Sequence, residues 1–224
     1  MTRLVILRPE PGASATAAAT RAMGLEPVVV PLFAIEPVAW QAPDVGQFDA
    51  VLLTSASAPR HGGSALEQVR GLPAHCVGEA TATAAREAGF SVARTGTAGV
   101  DALLDSMPPD LRLLHLCGTD RRDPQAPKQA IRSVPVYRAV AIEPDDAMRS
   151  IDGAVVAVHS PRAAARLSVL ADSLGLRRDT IRIAAISDEA ATAAGPGWRT
   201  VEAAAEPGDS ALLALAARLC NKPD

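Results

Sequence analysis

The side chains of this sequence that could do chemistry are hydroxyls and guanidiniums that follow short apolar runs. The hydroxyl residues in these positions are Thr54, Ser55, Ser57, Thr81, Thr119, Ser160 and Ser187. The arginines near the same points are Arg8, Arg60, Arg121, Arg122, Arg138 and Arg162. A single Ser or Thr in such a place most often caps a helix, whereas helix N-termini and arginines grouped together bind anions. As a group, they predict a ligand rich in carboxylates or phosphates.

The single tyrosine, Tyr137, lies in an extended segment bounded by prolines, and Phe33 stands in an earlier segment of the same kind. A phenol beside a binding site can donate a proton or a hydrogen bond. Tyr137 is therefore a candidate proton donor. The alternative is a packing residue between two parts of the chain, and its position alone does not separate the two interpretations.

Motifs for other chemistry are absent from the sequence. The four histidines show no HExxH or similar ligand spacing, and the three cysteines show no CxxC pair, so we expect no metal site and no disulfide. His61 and His159 lie near strand ends, where a solvated or hydrogen-bonded histidine is commoner than a ligand. The phosphate-binding and dinucleotide-binding glycine motifs and the GxSxG nucleophile motif are also missing. The sequence therefore shows no motif for a nucleotide cofactor.

Composition restricts the class of protein. The 224 residues include 22 Lys+Arg and 25 Asp+Glu, and the formal net charge of -3 argues against a strongly basic nucleic-acid binder. The hydrophobic fraction of 48% argues against a disordered chain. No run approaches the roughly 18 apolar residues of a membrane span, and the N-terminus turns polar too early for a signal peptide. We expect a cytoplasmic protein with no membrane or nucleic-acid partner.

Short apolar runs alternate with alanine-rich segments of helical character. Residues 4–7 are typical of a buried strand, and a helical segment follows at 14–23. The apolar run at 75–77 is likewise followed by a helical segment at 79–88 that ends before Gly89. Strand, helix and strand at this spacing predict parallel sheets with crossover helices.

The sequence also repeats itself at offsets of 104 to 109 residues. The matching segments are 4–7 with 113–116, 31–37 with 135–144, 48–55 with 153–160, 77–85 with 186–194, and 101–104 with 210–213. Because five matches occur in a consistent order, we interpret the chain as two copies of one α/β unit.

The repeat predicts a domain inserted into another domain. The proline-bounded segments 31–38 and 135–144 are predicted to be linker strands, because proline restricts both itself and the residue before it. Residues 39–134 would then form one domain, and residues 1–30 together with 145–224 would form the other. The predicted fold is α/β, with two similar Rossmann-like domains, each a parallel sheet with flanking helices. We expect a cleft between them, with ligands beyond the carboxyl ends of the strands.

An ordered set of short motifs runs along the whole chain. They are Leu7-Arg8-Pro9, Gly24-Leu25-Glu26-Pro27 with Pro31, Leu53-Thr54-Ser55, Val77-Gly78-Glu79-Ala80-Thr81-Ala82, Leu116-Cys117-Gly118, Val136-Tyr137-Arg138 and His159-Ser160-Pro161. No single motif is specific, but the ordered set together with the duplication resembles the uroporphyrinogen-III synthase family of tetrapyrrole biosynthesis.

Two positions depart from the pattern of that family. Its second Gly-x-x-Thr-Ala motif corresponds here to residues 187–191, where Ala190 replaces the threonine and Thr192 is nearby. His159 stands where a hydroxyl residue is usual. Both positions fall in the predicted domain formed by the two ends of the chain, so we expect rearranged contacts there. A specialised or inactive relative of the family is the alternative.

The resemblance implies a cofactor-independent lyase that acts on hydroxymethylbilane. In the family reaction, ring A loses its hydroxyl as water, ring D is inverted through a spirocyclic intermediate, and uroporphyrinogen III closes. By resemblance, Tyr137 assists the leaving hydroxyl, and Thr81 contacts either that group or a carboxylate. The expected substrate-binding residues are Arg8, Thr54, Ser55, Ser57, Thr119, Arg138, His159 and Ser160.

The implied partners are the tetrapyrrole substrate and, transiently, the preceding enzyme of the pathway. A monomer is the expectation for the family. The alternative function is a non-catalytic two-lobed binder of an anionic small molecule. Turnover of the ligand would separate the two hypotheses.

Overall fold

The computed structural model describes residues 3–143, 146–149 and 151–221. The chain divides into two compact units, of which unit 1 spans Met1–Ala34 and Ala141–Asp224, and unit 2 spans Ile35–Val140. The predicted ranges 1–30 and 145–224 include residues 1, 2, 145, 150 and 222–224, which lie outside the described residues.

The strands and helices alternate along the chain. The strands are β1 (Leu4–Ile6), β2 (Pro27–Val29), β3 (Phe33–Pro37), β4 (Ala50–Leu53), β5 (Ala74–Val77), β6 (Val92–Gly96), β7 (Arg112–Gly118), β8 (Ala130–Ala141), β9 (Val155–Val158), β10 (Arg182–Ala185) and β11 (Thr200–Ala203). The α-helices are α1 (Gly12–Ala22), α2 (Ser57–His61), α3 (Glu79–Glu87), α4 (Gly99–Asp105), α5 (Asp146–Arg149), α6 (Pro161–Leu174), α7 (Asp188–Ala194) and α8 (Asp209–Cys220). Short 3₁₀ turns lie at Val45–Gln47, Ser64–Gln68 and Arg178–Thr180.

Unit 1 contains a five-stranded sheet in the order β11-β10-β9-β1-β2, and all of its neighbouring strands are parallel. The central strands β1, β9 and β10 are buried throughout, because helices cover both faces of a parallel sheet. Helix α8 packs leucines against Leu4 and Val155, and α1 packs Ala13 and Ala17 against Ile6. Alanine at these helix positions lets the backbone approach the sheet closely.

A six-stranded sheet in the order β3-β8-β7-β4-β5-β6 forms the frame of unit 2. Strands β8, β7, β4, β5 and β6 are parallel to one another. The N–H of Val38 donates to the carbonyl of Val136, and the N–H of Ile142 donates to the carbonyl of Leu32, both at 3.0 Å. Because these pairings run in opposite directions, β3 is antiparallel to β8. Within the described residues, the segments predicted as linkers are thus paired with each other at the β3 edge of this sheet, and residue 144 of the second segment lies outside the described residues.

The two sheets share one strand order. Each strand of the unit 1 sheet has a counterpart in unit 2, since the order β11-β10-β9-β1-β2 corresponds to the order β6-β5-β4-β7-β8. The repeated segments 48–55 and 153–160 contain β4 and β9, and residues 4–7 and 113–116 fall on β1 and β7. The predicted fold class, parallel sheets with flanking helices, is confirmed. No helix among the described residues is long and apolar enough to cross a membrane.

Candidate functional site

The strand order defines one point in each sheet where a ligand is expected to bind. In an open α/β sheet, ligands bind beyond the carboxyl ends of the strands where connections leave in opposite directions. In unit 2 this point lies between β4 and β7, because the chain leaves β4 towards β5 and leaves β7 towards β8. In unit 1 the equivalent point lies between β9 and β1. We refer to these places as the switch points of the two units.

At the switch point of unit 2 lies a cavity of about 430 Å³. Its lining includes Thr54, Ser55, Gly118, Arg121, Arg122 and Tyr137. The sequence analysis selected Thr54, Ser55 and Tyr137 as site residues, and the fold brings all three to this cavity. We call it the unit 2 cavity.

Tyr137 enters the unit 2 cavity because of an irregularity in its strand. Cys117 of β7 pairs with Pro135 of β8, whereas the next residue, Gly118, pairs with Tyr137, so the register shifts by one residue. The shift occurs next to a proline, which has no N–H for the ladder. A Cβ atom at Gly118 would lie 2.9 Å from the Tyr137 ring. Glycine therefore leaves the space that the ring occupies.

The phenol of Tyr137 holds its proton at neutral pH. Burial raises the pKa of Tyr137 above its ordinary value, although its hydrogen bond with Ser55 acts in the opposite direction. Ser55 also accepts a hydrogen bond of 3.2 Å from the N–H of Ser57, at the start of α2. The Tyr137 side chain is thus a protonated, half-buried donor that is oriented by a neighbouring hydroxyl.

Thr54 is bonded to a histidine that the sequence analysis did not select. Its Oγ1 lies 3.0 Å from Nε2 of His115, and Nδ1 of the same ring lies 3.1 Å from Oγ of Ser133. His115 is on β7 and is fully buried. Burial and then the charge of Arg121 lower the pKa of His115 to about 4, although Asp123 acts in the opposite direction. The sequence could have indicated His115, because it is a polar residue in the middle of an apolar strand.

Some predicted residues of unit 2 do not line this cavity. Ser57 begins α2, and the exposed Thr119 donates its backbone N–H to the carbonyl of Tyr137 at 2.9 Å. Thr81 is 5% exposed and lies in the first turn of α3. Arg138 follows Tyr137 on β8, so its side chain points to the opposite face, where it bonds Glu36 at 2.8 Å. The roles assigned to these four residues stay predictions.

The switch point of unit 1 holds a charged cluster. Nη1 of Arg8 lies 3.0 Å from Oδ1 of Asp209, which also lies 2.8 Å from Nε2 of His159. The hydroxyl of Thr16 donates to Oδ2 of Asp209 at 2.8 Å and accepts from Arg8 at 3.2 Å. The sequence analysis selected Arg8 and His159 but missed Thr16 and Asp209. We call these four residues the unit 1 cluster.

The charges in the unit 1 cluster follow from its hydrogen bonds. Burial opposes ionisation of Asp209, but hydrogen bonds from His159 and Thr16 outweigh it and lower the pKa of Asp209. Burial also lowers the pKa of His159, although Asp209 partly opposes this effect. A carboxylate has no hydrogen to donate, so the neutral His159 ring donates Nε2–H to Asp209.

The remaining hydroxyls selected in unit 1 cap helices. The side chain of Ser160 accepts from the N–H of Ala163 at the start of α6, at 3.2 Å. Ser187 accepts from the N–H of Ala190 at the start of α7, at 3.3 Å. Ala190, the position that departs from the family motif, is fully buried. The capping interpretation left open in the sequence analysis thus applies to both serines.

A larger cavity, of about 580 Å³, lies at the amino ends of β1 and β9 and includes Arg3, Glu26 and Asp152. Parallel sheets bind ligands at the opposite ends of their strands, so we assign the site to the carboxyl ends despite the smaller volume there. Within the part of the chain that the structure describes, no three His, Cys, Asp or Glu side chains are grouped as metal ligands.

Comparison with known proteins gives the same fold. The family model for uroporphyrinogen-III synthase HemD matches residues 14–214. The crystal structure of uroporphyrinogen-III synthetase from Helicobacter pylori has a TM-score of 0.60 at 15% identity, covering 98% of this chain and 100% of the other. A mutant uroporphyrinogen III synthase from Thermus thermophilus has a TM-score of 0.53 at 17% identity, covering 99% and 100%. No curated protein matches in sequence. Since the family model covers most of its length, the chain belongs to the uroporphyrinogen-III synthase family.

Proposed function

We propose that this protein is a uroporphyrinogen-III synthase, a cofactor-independent lyase that cyclises hydroxymethylbilane with loss of water and inversion of ring D. Its family membership carries the proposal. The unit 2 cavity supports it: Asp101 and Asp120 also line the cavity, but its hydroxyl, phenol and guanidinium groups can donate to a substrate with eight carboxylates. The substrate also closes without an enzyme, to the type I isomer. The main task of the protein is therefore to hold one conformation of a flexible molecule.

Tyr137 is the proposed proton donor for the departing hydroxyl. As the bond between the ring-A methylene carbon and the hydroxyl oxygen breaks, the electron pair leaves with the oxygen. The phenol proton then completes a water molecule, and the phenolate is reprotonated later. Because burial raises the pKa of Tyr137, its proton is present at neutral pH but is given up less readily than that of a free phenol, so the phenol assists the departure without driving it. The elimination also proceeds unaided, so loss of the phenol should slow the reaction without stopping it.

Substrate carboxylates are expected to meet the hydroxyls of Thr54 and Ser55, whereas Arg121 is a weaker candidate because its Nε lies 2.9 Å from Oδ1 of Asp123. Arg8, His159 and Ser160 are weaker candidates, because the first two are bonded to Asp209 and the third caps α6. Thr81 and Arg138, together with Ser57 and Thr119, keep the roles inferred from the resemblance as untested proposals.

The organisation of the molecule is also part of the proposal. We propose that units 1 and 2 are distinct domains linked near residues 31–38 and 135–144. The protein would work as a cytoplasmic monomer and would contact the preceding pathway enzyme transiently. The balanced charge and the short apolar runs are consistent with such a location.

A coupled isomer assay tests the function. Hydroxymethylbilane is generated in situ, the protein is added, and the oxidised products are separated by isomer. Excess type III product, reduced in Tyr137→Phe, is the expected result. Type I product alone, at the spontaneous rate, would contradict the proposal and favour a non-catalytic binder of anions.

A further inference from the structure

Three polar side chains form a continuous hydrogen-bonded row that begins inside unit 2 and ends at its cavity. The row runs from Oγ of Ser133 to the ring of His115 and on to Oγ1 of Thr54, with contacts of 3.1 and 3.0 Å. Ser133 and His115 are register partners on β8 and β7, so their side chains share one face of the sheet. Thr54 lines the unit 2 cavity. A buried ring therefore contacts the hydroxyl of a residue that lines the ligand site.

The imidazole of His115 is neutral in this place. The residue is fully buried, and burial together with Arg121 keeps its pKa at about 4. A neutral imidazole carries a hydrogen on one nitrogen and a lone pair on the other. Each nitrogen has a hydroxyl partner, so the ring can be satisfied in either of its two tautomers.

The tautomer decides what Thr54 presents to the cavity. With the hydrogen on Nδ1, Nε2 accepts the hydrogen of Thr54, and the threonine can only accept from a ligand. With the hydrogen on Nε2, the ring donates to Oγ1, and the threonine hydrogen is free to turn towards the cavity. A carboxylate is an acceptor only, so a carboxylate ligand is bound by the second arrangement and not by the first.

We propose that His115 is a positioning residue that carries its hydrogen on Nε2, receives the hydroxyl hydrogen of Ser133 on Nδ1, and makes Thr54 a donor to a substrate carboxylate. The carboxylate part rests on the proposed function. The tautomer is a property of the chain, and it can be measured whether or not the chain turns over hydroxymethylbilane.

The first test is nitrogen-15 NMR of the full-length protein labelled at histidine, near pH 7. The expected spectrum shows His115 with a protonated Nε2 and an unprotonated Nδ1. Ser133→Ala removes the hydroxyl that donates to Nδ1, and it should shift the ring measurably towards the other tautomer. A wild-type ring protonated on Nδ1 would overturn the proposal, as would a spectrum that Ser133→Ala leaves unchanged.

The second test is a double-mutant cycle in the isomer assay. Thr54→Val and His115→Leu should each raise KM about tenfold, since each removes or misdirects a hydrogen bond to a charged group, and kcat should change by less than about twofold. The double variant should be no worse than Thr54→Val alone, because His115 acts only through Thr54. If the KM increases of the two single variants multiply in the double variant, His115 has a merely structural role and the proposal is refuted.

His75→Leu is the matched control. His75 and His115 are both register partners of Leu52, one on each side of it, so the two histidines share a face of the sheet. His75 does not line the unit 2 cavity, and its replacement should leave KM within about twofold. If His115→Leu fails to fold, Ser133→Ala decides the kinetic question, with an expected several-fold rise in KM. Wild-type type III synthesis with an Nδ1 hydrogen would refute this proposal while leaving the proposed function intact.

Discussion

The two switch points share a strand order but hold different chemistry. Thr54 and His159 occupy matching positions of the repeat, each directly after the central strand of its unit. Thr54 contacts the neutral ring of His115, whereas His159 contacts the carboxylate of Asp209, which is also bonded to Arg8. One scaffold therefore presents a neutral row in unit 2 and an ionic cluster in unit 1.

This difference indicates that unit 2 binds the ligand, whereas the polar groups of unit 1 contribute mainly to stability. In the unit 1 cluster the charged groups satisfy one another and connect the ends of β1 and β9 to α1 and α8. In unit 2, the hydroxyls and the phenol line a cavity. We infer that the unit 1 cluster mainly stabilises its unit, and that the reacting groups of the substrate bind in the unit 2 cavity. The following predictions test this division.

The largest effect is expected at the phenol of unit 2. Tyr137→Phe keeps the ring and removes the proton donor, and we expect kcat to fall about 100-fold, at the low end for a general acid because the elimination also proceeds unaided. The isomer assay measures the rate, and thermal unfolding should show a Tm within a few degrees of wild type. An unchanged kcat would remove Tyr137 from the mechanism.

The second prediction compares the two buried histidines. Since the folded-state pKa of His115 is about 4, against an ordinary value of 6.5, the unfolded chain binds the proton more readily. The neutral His115 ring therefore contributes to the free energy of unfolding in full above pH 6.5. This contribution, on the order of 2 kcal/mol, is lost as the pH falls towards 4.

Denaturant unfolding at several pH values measures this loss. His115→Gln should flatten the slope between pH 6.5 and 4. His159→Gln should flatten it less, because Asp209 partly restores the pKa of His159. Equal slopes in the wild type and both variants would contradict the comparison.

The third prediction concerns the space beside the Tyr137 ring. Gly118→Ala places a methyl group 2.9 Å from ring carbons, so the ring must leave its present position, in which it bonds Ser55. We expect about a tenfold loss of kcat/KM, the magnitude of one misplaced hydrogen bond to the reacting group. Gly71→Ala is the control, because a Cβ there meets nothing within 4 Å. Similar kinetics for both variants would show that the ring is not positioned by Gly118.

The smallest effect is expected in the unit 1 cluster. Asp209→Asn removes the charge that holds Arg8 and His159, and we expect the free energy of unfolding to fall by about 1 kcal/mol. The loss is modest because Arg8 and Asp209 are 33% and 38% exposed in their side chains. Asp105→Asn, at an exposed pair with Lys128, should cost less than about 0.5 kcal/mol. A fall in kcat as large as that of Tyr137→Phe would reverse the proposed division between the units.

Part of the site could be predicted because its residues follow strands directly. Thr54 and Ser55 end an apolar run, and strand ends meet at one edge of a parallel sheet, so sequence position was sufficient to place them there. Thr81 and Arg138 follow the same kind of pattern, yet one is buried in a helix and the other faces away from Tyr137. Rotation about a helix axis and a one-residue shift of register decide such cases, and neither is visible in a motif.

The sequence by itself determined the fold class, the repeat and the family. These properties depend on apolar periodicity and on local motifs, which are encoded in neighbouring residues. Only the tertiary structure paired His115 with Thr54 across 61 positions and Asp209 with Arg8 across 201. A hydrogen bond requires two atoms within about 3 Å in a particular direction. That condition is set by strand order, register and helix rotation together, so the partners of the predicted residues emerged only when the chain was folded.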